Sequence, residues 1–291
     1  MRPGAADGDA AGWRLDAAGI DAYLRDGLVV APWRFEAARV EEMRECLERL
    51  LRDNAEVAPE SLVCPHIPNG ARHDAEAAAK WFAFATDPRL LDLVSQLIGP
   101  DIILWGSQVF CKPAGRGRAV PWHQDGQYWP IRPLATCSVW VALDDVDADN
   151  GCMRYLSGSH RQRGLVRHRV REGNDVVLGQ EVDMSGADPS LIRDDVLPAG
   201  GFSLHDVFLV HGSEPNRSER RRAGFVVRFM PATSQFDRSV DRRQDQTGVS
   251  FSFSRRPIWL LRGQDRAGND FITGHGEDYR LVPRLSDETQ A

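Results

Sequence analysis

The strongest constraint on the fold is a change of sequence pattern at Pro100. Before this residue, apolar side chains recur at spacings of three and four, as they do along one face of an amphipathic helix. After it, apolar residues gather in short β-type runs separated by turn-rich segments. The clearest runs are Ile102–Phe110, Ala135–Leu143, Phe202–Val210 and Phe225–Met230. The pattern predicts an α+β protein with a mainly β core, a sandwich or a barrel, and helices packed outside it.

The first hundred residues carry clear signals for where helices begin and end. Gly27 follows one helical pattern, Asp87-Pro88 precedes another, and Gly99-Pro100 ends it. Such capping residues, early prolines and terminal glycines are typical of helix boundaries. The predicted elements are helices Asp16–Asp26, Glu36–Arg52, Ala75–Ala85 and Pro88–Ile98, and a strand Leu28–Ala31.

The chain is predicted to form one domain over residues 1–291, since it shows neither an internal repeat nor a low-complexity linker. Within it we expect a disordered segment 1–12, a mostly helical flank 13–100, a barrel core 101–232 with a long loop 161–198, and a loop-rich part 233–291. Loops of that length often cover binding sites. The segment Asp144–Gly151 contains an Asn-Gly pair and is interpreted as a hairpin connection.

Composition excludes several classes of protein. The 291 residues carry a net charge of −6, which disfavours a nucleic-acid partner, and no apolar run approaches the length of a membrane span. The N-terminus has no apolar signal-peptide core. The five cysteines are odd in number and form no CxxC pair, so neither a disulfide framework nor a zinc-thiolate site is expected. These features predict a reduced, cytoplasmic protein.

The most specific local motif is Pro121–Gly126, with the sequence PWHQDG. Alternate side chains of an extended chain share a face, so His123 and Asp125 are expected to project together. A further histidine, His211, ends a β-type run 88 residues later. Two histidines and one carboxylate on one side of a metal, with open positions opposite, are the ligand set of non-haem Fe(II) oxygenases.

An arginine-rich turn follows this second histidine. Arg222 comes eleven residues after His211 and precedes a β-type run. An arginine on a strand beside a metal can bind a carboxylate in a bidentate pair. Arg217, Arg220 and Arg221 crowd the same turn, so the identity of the carboxylate-binding arginine stays open at this point.

Three stretches in this order, WHQDGQYWP, VWVALDDVDADNGCMRYLSGSH and HGSEPNRSERRR, resemble the phytanoyl-CoA dioxygenase (PhyH-like) family of Fe(II)/2-oxoglutarate oxygenases. The resemblance spans roughly residues 108–230. It implies a double-stranded β-helix, which is a cupin-like jelly-roll barrel, with N-terminal helices beside it. It also implies Fe(II) as cofactor, with 2-oxoglutarate and O₂ as co-substrates.

The resemblance also assigns residues. The implied metal ligands are His123, Asp125 and His211, and the implied 2-oxoglutarate-binding residues are Arg222, Ser213, Gln108 and Trp140. His205 lies six residues before His211 and could share its strand face, but only His211 is followed by the Gly-Ser of the family motif. His205 is therefore interpreted as a packing residue or a residue beside the ligands.

Four further residues are candidates for substrate contact. Tyr128 and Trp129 directly follow the PWHQDG motif, where aromatic side chains line a pocket or fill a core. His66 and Asn69 lie in an irregular segment between predicted helices, which in this architecture can cover the mouth of a barrel.

The resulting hypothesis is a dioxygenase that hydroxylates an unactivated C–H bond of a small molecule and releases succinate and CO₂. A bacterial secondary-metabolite or small-molecule pathway is expected, with the enzyme a monomer or homodimer that binds neither nucleic acid nor membrane. The alternatives are desaturation, epimerisation or ring closure by the same cofactors. The least favoured is a non-catalytic cupin-like binding protein in which His123 and His211 merely pack.

Overall fold

The computed structural model describes residues 12–68, 74–171, 173, 175–240, 242–244, 250–254, 256–275 and 280–282. The helices of this part of the chain are α1 (Ala17–Asp26), α2 (Ala37–Asp53), α3 (Ala75–Ala85) and α4 (Pro88–Ile98). None of the helices in these ranges combines the length and the apolar character needed to cross a bilayer.

The helix boundaries follow from capping contacts. The Asp16 carboxylate accepts a hydrogen bond from the Gly19 N–H, and that of Asp87 accepts one from the Arg89 N–H. Each contact satisfies a backbone donor that the first helical turn leaves unpaired. Gly27 ends α1 with a φ of 84°, a left-handed conformation that suits glycine. The four predicted helices are confirmed, two of them residue for residue.

The strands occur throughout the chain but are densest after Pro100. The first ten are β1 (Leu28–Arg34), β2 (Leu62–Val63), β3 (Ile102–Lys112), β4 (Val120–His123), β5 (Ile131–Arg132), β6 (Cys137–Ala142), β7 (Met153–Leu156), β8 (His168–Val170), β9 (Gln180–Val182) and β10 (Ile192–Asp195). The others are β11 (Gly201–Asp206), β12 (His211–Ser213), β13 (Arg222–Pro231), β14 (Gln235–Phe236), β15 (Arg242–Gln244), β16 (Ser250–Ser252), β17 (Trp259–Arg262), β18 (Phe271–Thr273) and β19 (Arg280–Val282).

Two antiparallel sheets form the jelly roll. The larger sheet has the order β1-β11-β6-β13-β3-β17, with β2 also paired to β3. The smaller sheet has the order β10-β7-β12-β4. Side chains of both sheets line a common cavity, so the sheets form the two walls of a barrel. The predicted jelly roll with N-terminal helices beside it is confirmed.

The helices cover the outer face of the larger sheet. On β13 the side chains of Phe225, Val227 and Phe229 join the core cluster that also contains Leu47 of α2 and Phe84 of α3. Because side chains alternate along a strand, the intervening residues of β13 face the barrel interior. The helical flank therefore fixes the position of a strand whose other face forms the cavity wall.

Several expectations about loops need correction. The segment 161–198 contains β8, β9 and β10, and the C-terminal part contributes β17 to the larger sheet. The predicted strand Phe202–Val210 ends at Asp206, and the chain then crosses to the smaller sheet. The segment Asp144–Gly151 joins β6 to β7, which lie in different sheets, so it is not a hairpin connection. The expected disorder of segment 1–12 concerns residues that, except for Gly12, lie outside the described ranges.

Candidate active site

Strand pairing brings His123 of the PWHQDG motif next to His211. His123 ends β4 and His211 begins β12, and the two residues are direct partners in this antiparallel pair. Their ring centroids are 4.2 Å apart. Asp125 follows β4 in a short 3₁₀ turn, with Oδ1 at 3.5 Å from His123 Nε2 and 4.0 Å from His211 Nε2. One ligand atom from each of the three buried residues lies within 4.8 Å of the other two.

The hydrogen bonds of the two rings fix which nitrogen faces the site. His123 Nδ1 lies 2.8 Å from the Pro121 carbonyl oxygen, and His211 Nδ1 lies 3.0 Å from that of Leu209. A carbonyl oxygen only accepts, so each Nδ1 carries the proton and each Nε2 keeps a lone pair. Backbone contacts of this kind orient metal-binding histidines.

The charges of these groups also suit a metal. Burial, together with the neighbouring His123, lowers the pKa of His211 to about 3 despite the opposing charge of Asp125. Burial favours a protonated Asp125, but its close contacts with the imidazoles of His123 and His205 outweigh burial and hold the pKa of Asp125 well below its usual range. Neutral imidazoles and an ionised carboxylate are the forms that bind metal. The donor set therefore fits an Fe(II) ion.

His205 contacts the other oxygen of the carboxylate. It lies on β11 in the larger sheet, with Nε2 at 3.5 Å from Asp125 Oδ2. The Ser138 hydroxyl lies at the same distance from this oxygen. His205 is thus beside the three-residue group rather than part of it, as the sequence interpretation expected.

A small cavity of about 50 Å³ extends from the three residues to Arg222. Arg222 begins β13, is only 3% exposed, and its guanidinium lies 4.6 Å from the centre of the Trp140 ring. That ring approaches the strand closely, because a Cβ at Gly224 would lie 2.1 Å from it. Ser213 of β12 lines the same cavity.

The other arginines of this turn have partners or face solvent. Arg220 pairs with Asp147 at 2.8 Å, and Arg221 pairs with Asp144 at 2.9 Å. Arg217 is exposed. In the described part of the chain no carboxylate forms an ion pair with Arg222, so its buried charge is left for a ligand.

Lys112 is a site residue that the sequence analysis missed. It lies opposite Arg222 in the β3–β13 pair, is 1% exposed, and its Nζ donates to the Ser213 hydroxyl at 2.7 Å and to the Glu214 carbonyl oxygen. Burial and the charge of Arg222 lower the pKa of Lys112 to about 6. The available signal was its rarity, because the chain contains only one other lysine, Lys80.

A second, larger cavity of about 500 Å³ adjoins the first and shares His123 and Asp125 with it as lining residues. Five of the predicted residues line it, namely Gln108, His123, Asp125, Tyr128 and Trp129. Gln108 thus lies in the larger cavity, whereas Trp140 and Ser213 line the smaller one.

The structure does not bring His66 into either cavity. Its side chain is completely buried, with Nδ1 at 2.5 Å from the Ser107 hydroxyl and the ring against Trp259. His66 contacts Ser107 of β3, the strand that contributes residues to both cavities, but does not line either cavity itself. The other candidate of this segment, Asn69, lies outside the described residues.

Two arginines of the larger cavity were also missed. Arg228 and Arg256 both line it, and Arg228 lines the smaller cavity as well. Strand alternation was an available signal for Arg228, because it lies six residues after Arg222 and hence on the same face of β13. Arg256 follows an irregular segment and carries no comparable signal.

A jelly roll with two histidines and one carboxylate between its sheets defines the class of Fe(II)/2-oxoglutarate oxygenases. The sequence profile described as "Phytanoyl-CoA dioxygenase (PhyH)" matches residues 23–224, more than half of the chain. The chain belongs to this family. The predicted family is confirmed, and with it the class of enzyme and the class of cofactors.

Individual relatives support the same placement. "Phytanoyl-CoA dioxygenase domain-containing protein 1" of Mus musculus is 30% identical over 151 residues, which are 50% of each chain. "L-proline trans-4-hydroxylase" of Streptomyces griseoviridis is 25% identical over 232 residues, 73% of this chain and 85% of the relative. The solved structure "CytC3 with Fe(II) and alpha-ketoglutarate" superposes with a TM-score of 0.63 at 20% identity, covering 94% of this chain and 99% of that one. The chain spans about half the length of the first curated relatives it matches.

Proposed function

We propose that this chain is an Fe(II)/2-oxoglutarate-dependent dioxygenase that hydroxylates an unactivated C–H bond of a small molecule, with release of succinate and CO₂. The observation that carries the proposal is the position of His123, Asp125 and His211 beside two adjoining cavities. One cavity is small and ends at the buried guanidinium of Arg222, which forms no ion pair with the residues that the structure describes, and the other is ten times larger. This division suits a small dianionic co-substrate on one side of the metal and a substrate on the other.

His123, Asp125 and His211 hold the iron in this proposal. When bound, Fe(II) with 2-oxoglutarate and O₂ supplies the oxidising power for attack on a C–H bond. The Pro121 and Leu209 carbonyls accept from Nδ1 of the two imidazoles and so hold both rings in one orientation, with Nε2 facing the site. His205 and Ser138 position the carboxylate by contacting the oxygen that faces away from the two ligand imidazoles.

Arg222 binds the distal carboxylate of 2-oxoglutarate in this arrangement, with Ser213 beside it. Lys112 donates to Ser213 and thereby directs the hydroxyl, and its ammonium adds positive charge when protonated. Trp140 forms the side wall and holds the guanidinium in place through a cation–π contact. Charge-assisted contacts in a site without water are strong, so this end of the cavity selects an anionic co-substrate.

The larger cavity holds the substrate next to the metal. Its walls are largely aromatic and apolar, with Trp105, Trp129 and Phe253 among them. Such walls exclude water from the reacting centre and favour a substrate with an apolar body. Gln108 and Tyr128 add polar groups that can fix its orientation.

The proposal includes a bacterial small-molecule or secondary-metabolite pathway and a cytoplasmic location. The relative named "L-proline trans-4-hydroxylase", from Streptomyces griseoviridis, supports a small substrate. The five cysteines are all free and buried, which suits a reducing compartment. Desaturation, epimerisation and ring closure need the same metal and co-substrate, and product mass distinguishes them, with a gain of one oxygen atom expected for hydroxylation.

The test begins with anaerobic protein that has been loaded with Fe(II). Addition of 2-oxoglutarate should produce a visible charge-transfer band, and oxygenation should then release succinate. The His211→Ala variant should show neither, whereas a variant at the exposed Arg217 should show both. A wild-type protein that binds Fe(II) without ever giving the band would contradict the proposal and favour a non-catalytic binding protein.

A further inference from the structure

Two cationic side chains face the larger cavity without an anionic partner in the described structure. Arg228 is 8% exposed and its Nε has no hydrogen-bond partner. Arg256 is half-buried and its guanidinium contacts the Cys64 sulfur. Asp125 is the one acidic residue in the described lining of this cavity, and the proposed function assigns it to the metal.

The surroundings of Arg228 aim and constrain its guanidinium. Nη2 donates to Gln108 Oε1 at 3.1 Å, and the group lies 5.2 Å from the centre of the Trp129 ring. The alternation of β13 directs the side chain into the barrel, and burial lowers the pKa of Arg228 without neutralising it. The guanidinium of Arg228 is thus held at the cavity wall in a fixed position.

The two positive charges at the larger cavity make an anionic ligand favourable there. A buried cation without a counter-ion is strongly unfavourable, and the charge of Arg256 adds repulsion. The negative charge of Asp125 is shared with the metal in the loaded enzyme. An anionic group of the substrate would offset both guanidiniums, and a carboxylate matches the planar geometry of their donors.

We propose that Arg228 and Arg256 bind a carboxylate of the substrate, whose apolar body occupies the aromatic part of the larger cavity. The proposal rests on the proposed function and narrows the substrate to amphipathic carboxylic acids. The 500 Å³ volume accommodates an acid with a ring-sized body. Trp105, Trp129 and Phe253 provide the surfaces against which that body packs.

The experiment measures binding to anaerobic enzyme loaded with Fe(II) and 2-oxoglutarate, by isothermal titration calorimetry. The probes are 4-phenylbutanoate and indole-3-propanoate, each compared with its primary amide, which has the same shape but no charge. Each acid should bind about 10- to 100-fold more tightly than its amide, the range of a charge-assisted hydrogen bond. Arg228→Gln should bring this ratio close to one, and Arg256→Gln should lower it less because Arg256 is more exposed.

Control variants distinguish binding of the substrate carboxylate from binding of 2-oxoglutarate. Arg228→Lys keeps the charge and should retain part of the preference, and Arg217→Gln should retain all of it. Thermal unfolding of each variant shows that it has folded. Arg228→Gln should retain the 2-oxoglutarate charge-transfer band and should weaken 2-oxoglutarate much less than it weakens the acids.

Two results would overturn the proposal. One is that neither acid binds better than its amide to the wild-type enzyme. The other is that Arg228→Gln weakens 2-oxoglutarate as much as the acids, because the guanidinium would then serve the co-substrate. Either result leaves the 2-oxoglutarate band of the wild type in place, whereas failure of the proposed function removes that band.

Discussion

Replacement of Arg222 by glutamine should weaken the binding of 2-oxoglutarate without lowering the stability of the ligand-free protein. In the described structure the guanidinium of Arg222 is almost fully buried, packs on Trp140 and forms no ion pair. Loss of a charge-assisted pair costs about 2–4 kcal/mol, which raises the KM for 2-oxoglutarate roughly 30- to 1000-fold. Ser213 and Lys112 remain in place, so the lower half of this range is expected.

The same substitution should not destabilise the protein without ligand. Burial lowers the pKa of Arg222 to about 10, which shows that the folded protein holds this cation at a cost. Removal of an uncompensated buried charge is neutral or stabilising when the replacement fits. Thermal unfolding without 2-oxoglutarate should therefore give a Tm for Arg222→Gln equal to or above that of the wild type.

Thermal unfolding with 2-oxoglutarate provides the quantitative assay. At a concentration 100 times the wild-type Kd, ligand binding should stabilise the wild type by about 2.7 kcal/mol. A 100-fold weaker variant should gain only about 0.4 kcal/mol at the same concentration. Arg221→Gln is the matched control, since Arg221 pairs with Asp144 and Glu48 outside the cavity. Equal losses of affinity at both arginines would refute the assignment of a single carboxylate-binding arginine.

Three further predictions follow from the same geometry. Alanine at His123, Asp125 or His211 should abolish Fe(II) binding, measured as bound iron after gel filtration, and should leave the circular dichroism spectrum intact, whereas His205→Ala should retain the metal. The pKa of Lys112 is about 6 in the folded protein, whereas its ordinary value is 10.5. Between pH 6 and pH 10.5 the unfolded chain therefore binds more protons than the folded protein, and the free energy of unfolding rises with pH in this range. Lys112→Met should remove this contribution, at most about 1.4 kcal/mol per pH unit, in urea unfolding series from pH 6.5 to 9.5. Burial raises the pKa of Asp195 to about 6, so its protonated form stabilises the fold and this stabilisation is lost as pH rises through 6. Asp195→Asn should therefore gain about 2–3 kcal/mol relative to the wild type between pH 4 and pH 7, and an unchanged difference would contradict the assignment.

The elements were predictable where one local signal determines them. Helices α3 and α4 have their predicted bounds because Asp74 and Asp87 cap them with side-chain hydrogen bonds. Strand β13 follows from a run of apolar residues after charged ones. These signals act within a few residues, so the sequence alone contains them.

The partition of strands between the two sheets was not predictable in the same way. The run Phe202–Val210 has six apolar residues among its nine and a β-type pattern, yet it turns at Asp206, whose carboxylate accepts a hydrogen bond from the Phe208 N–H. The segment after β6 also has the composition of a hairpin, but Asn150 bonds to Asp147 and to the Asp145 carbonyl and closes a turn that leads into the other sheet. In both places the sheet that the next strand joins depends on long-range strand pairing, which the local turn residues do not determine.

The site residues also fall into those that a local motif predicts and those that long-range strand pairing places. The sequence predicted His123, Asp125 and His211 because two of them share a short motif and the third has recognisable neighbours. Lys112 and Arg228 belong to no motif and reach the site through the register of β3 and β13.

Strand β13 shows why these cations are tolerated. All ten of its residues are buried, and its outward side chains pack against the helical flank. That packing stabilises the strand on one face and offsets the cost of Arg222 and Arg228 on the other. A cavity in the outer layer, such as Phe225→Ala would create, costs about 3–5 kcal/mol and weakens the support of both arginines at once. The helices therefore stabilise the site as well as cover the barrel, because the buried charges that we propose for binding co-substrate and substrate depend on the stability that the helices supply.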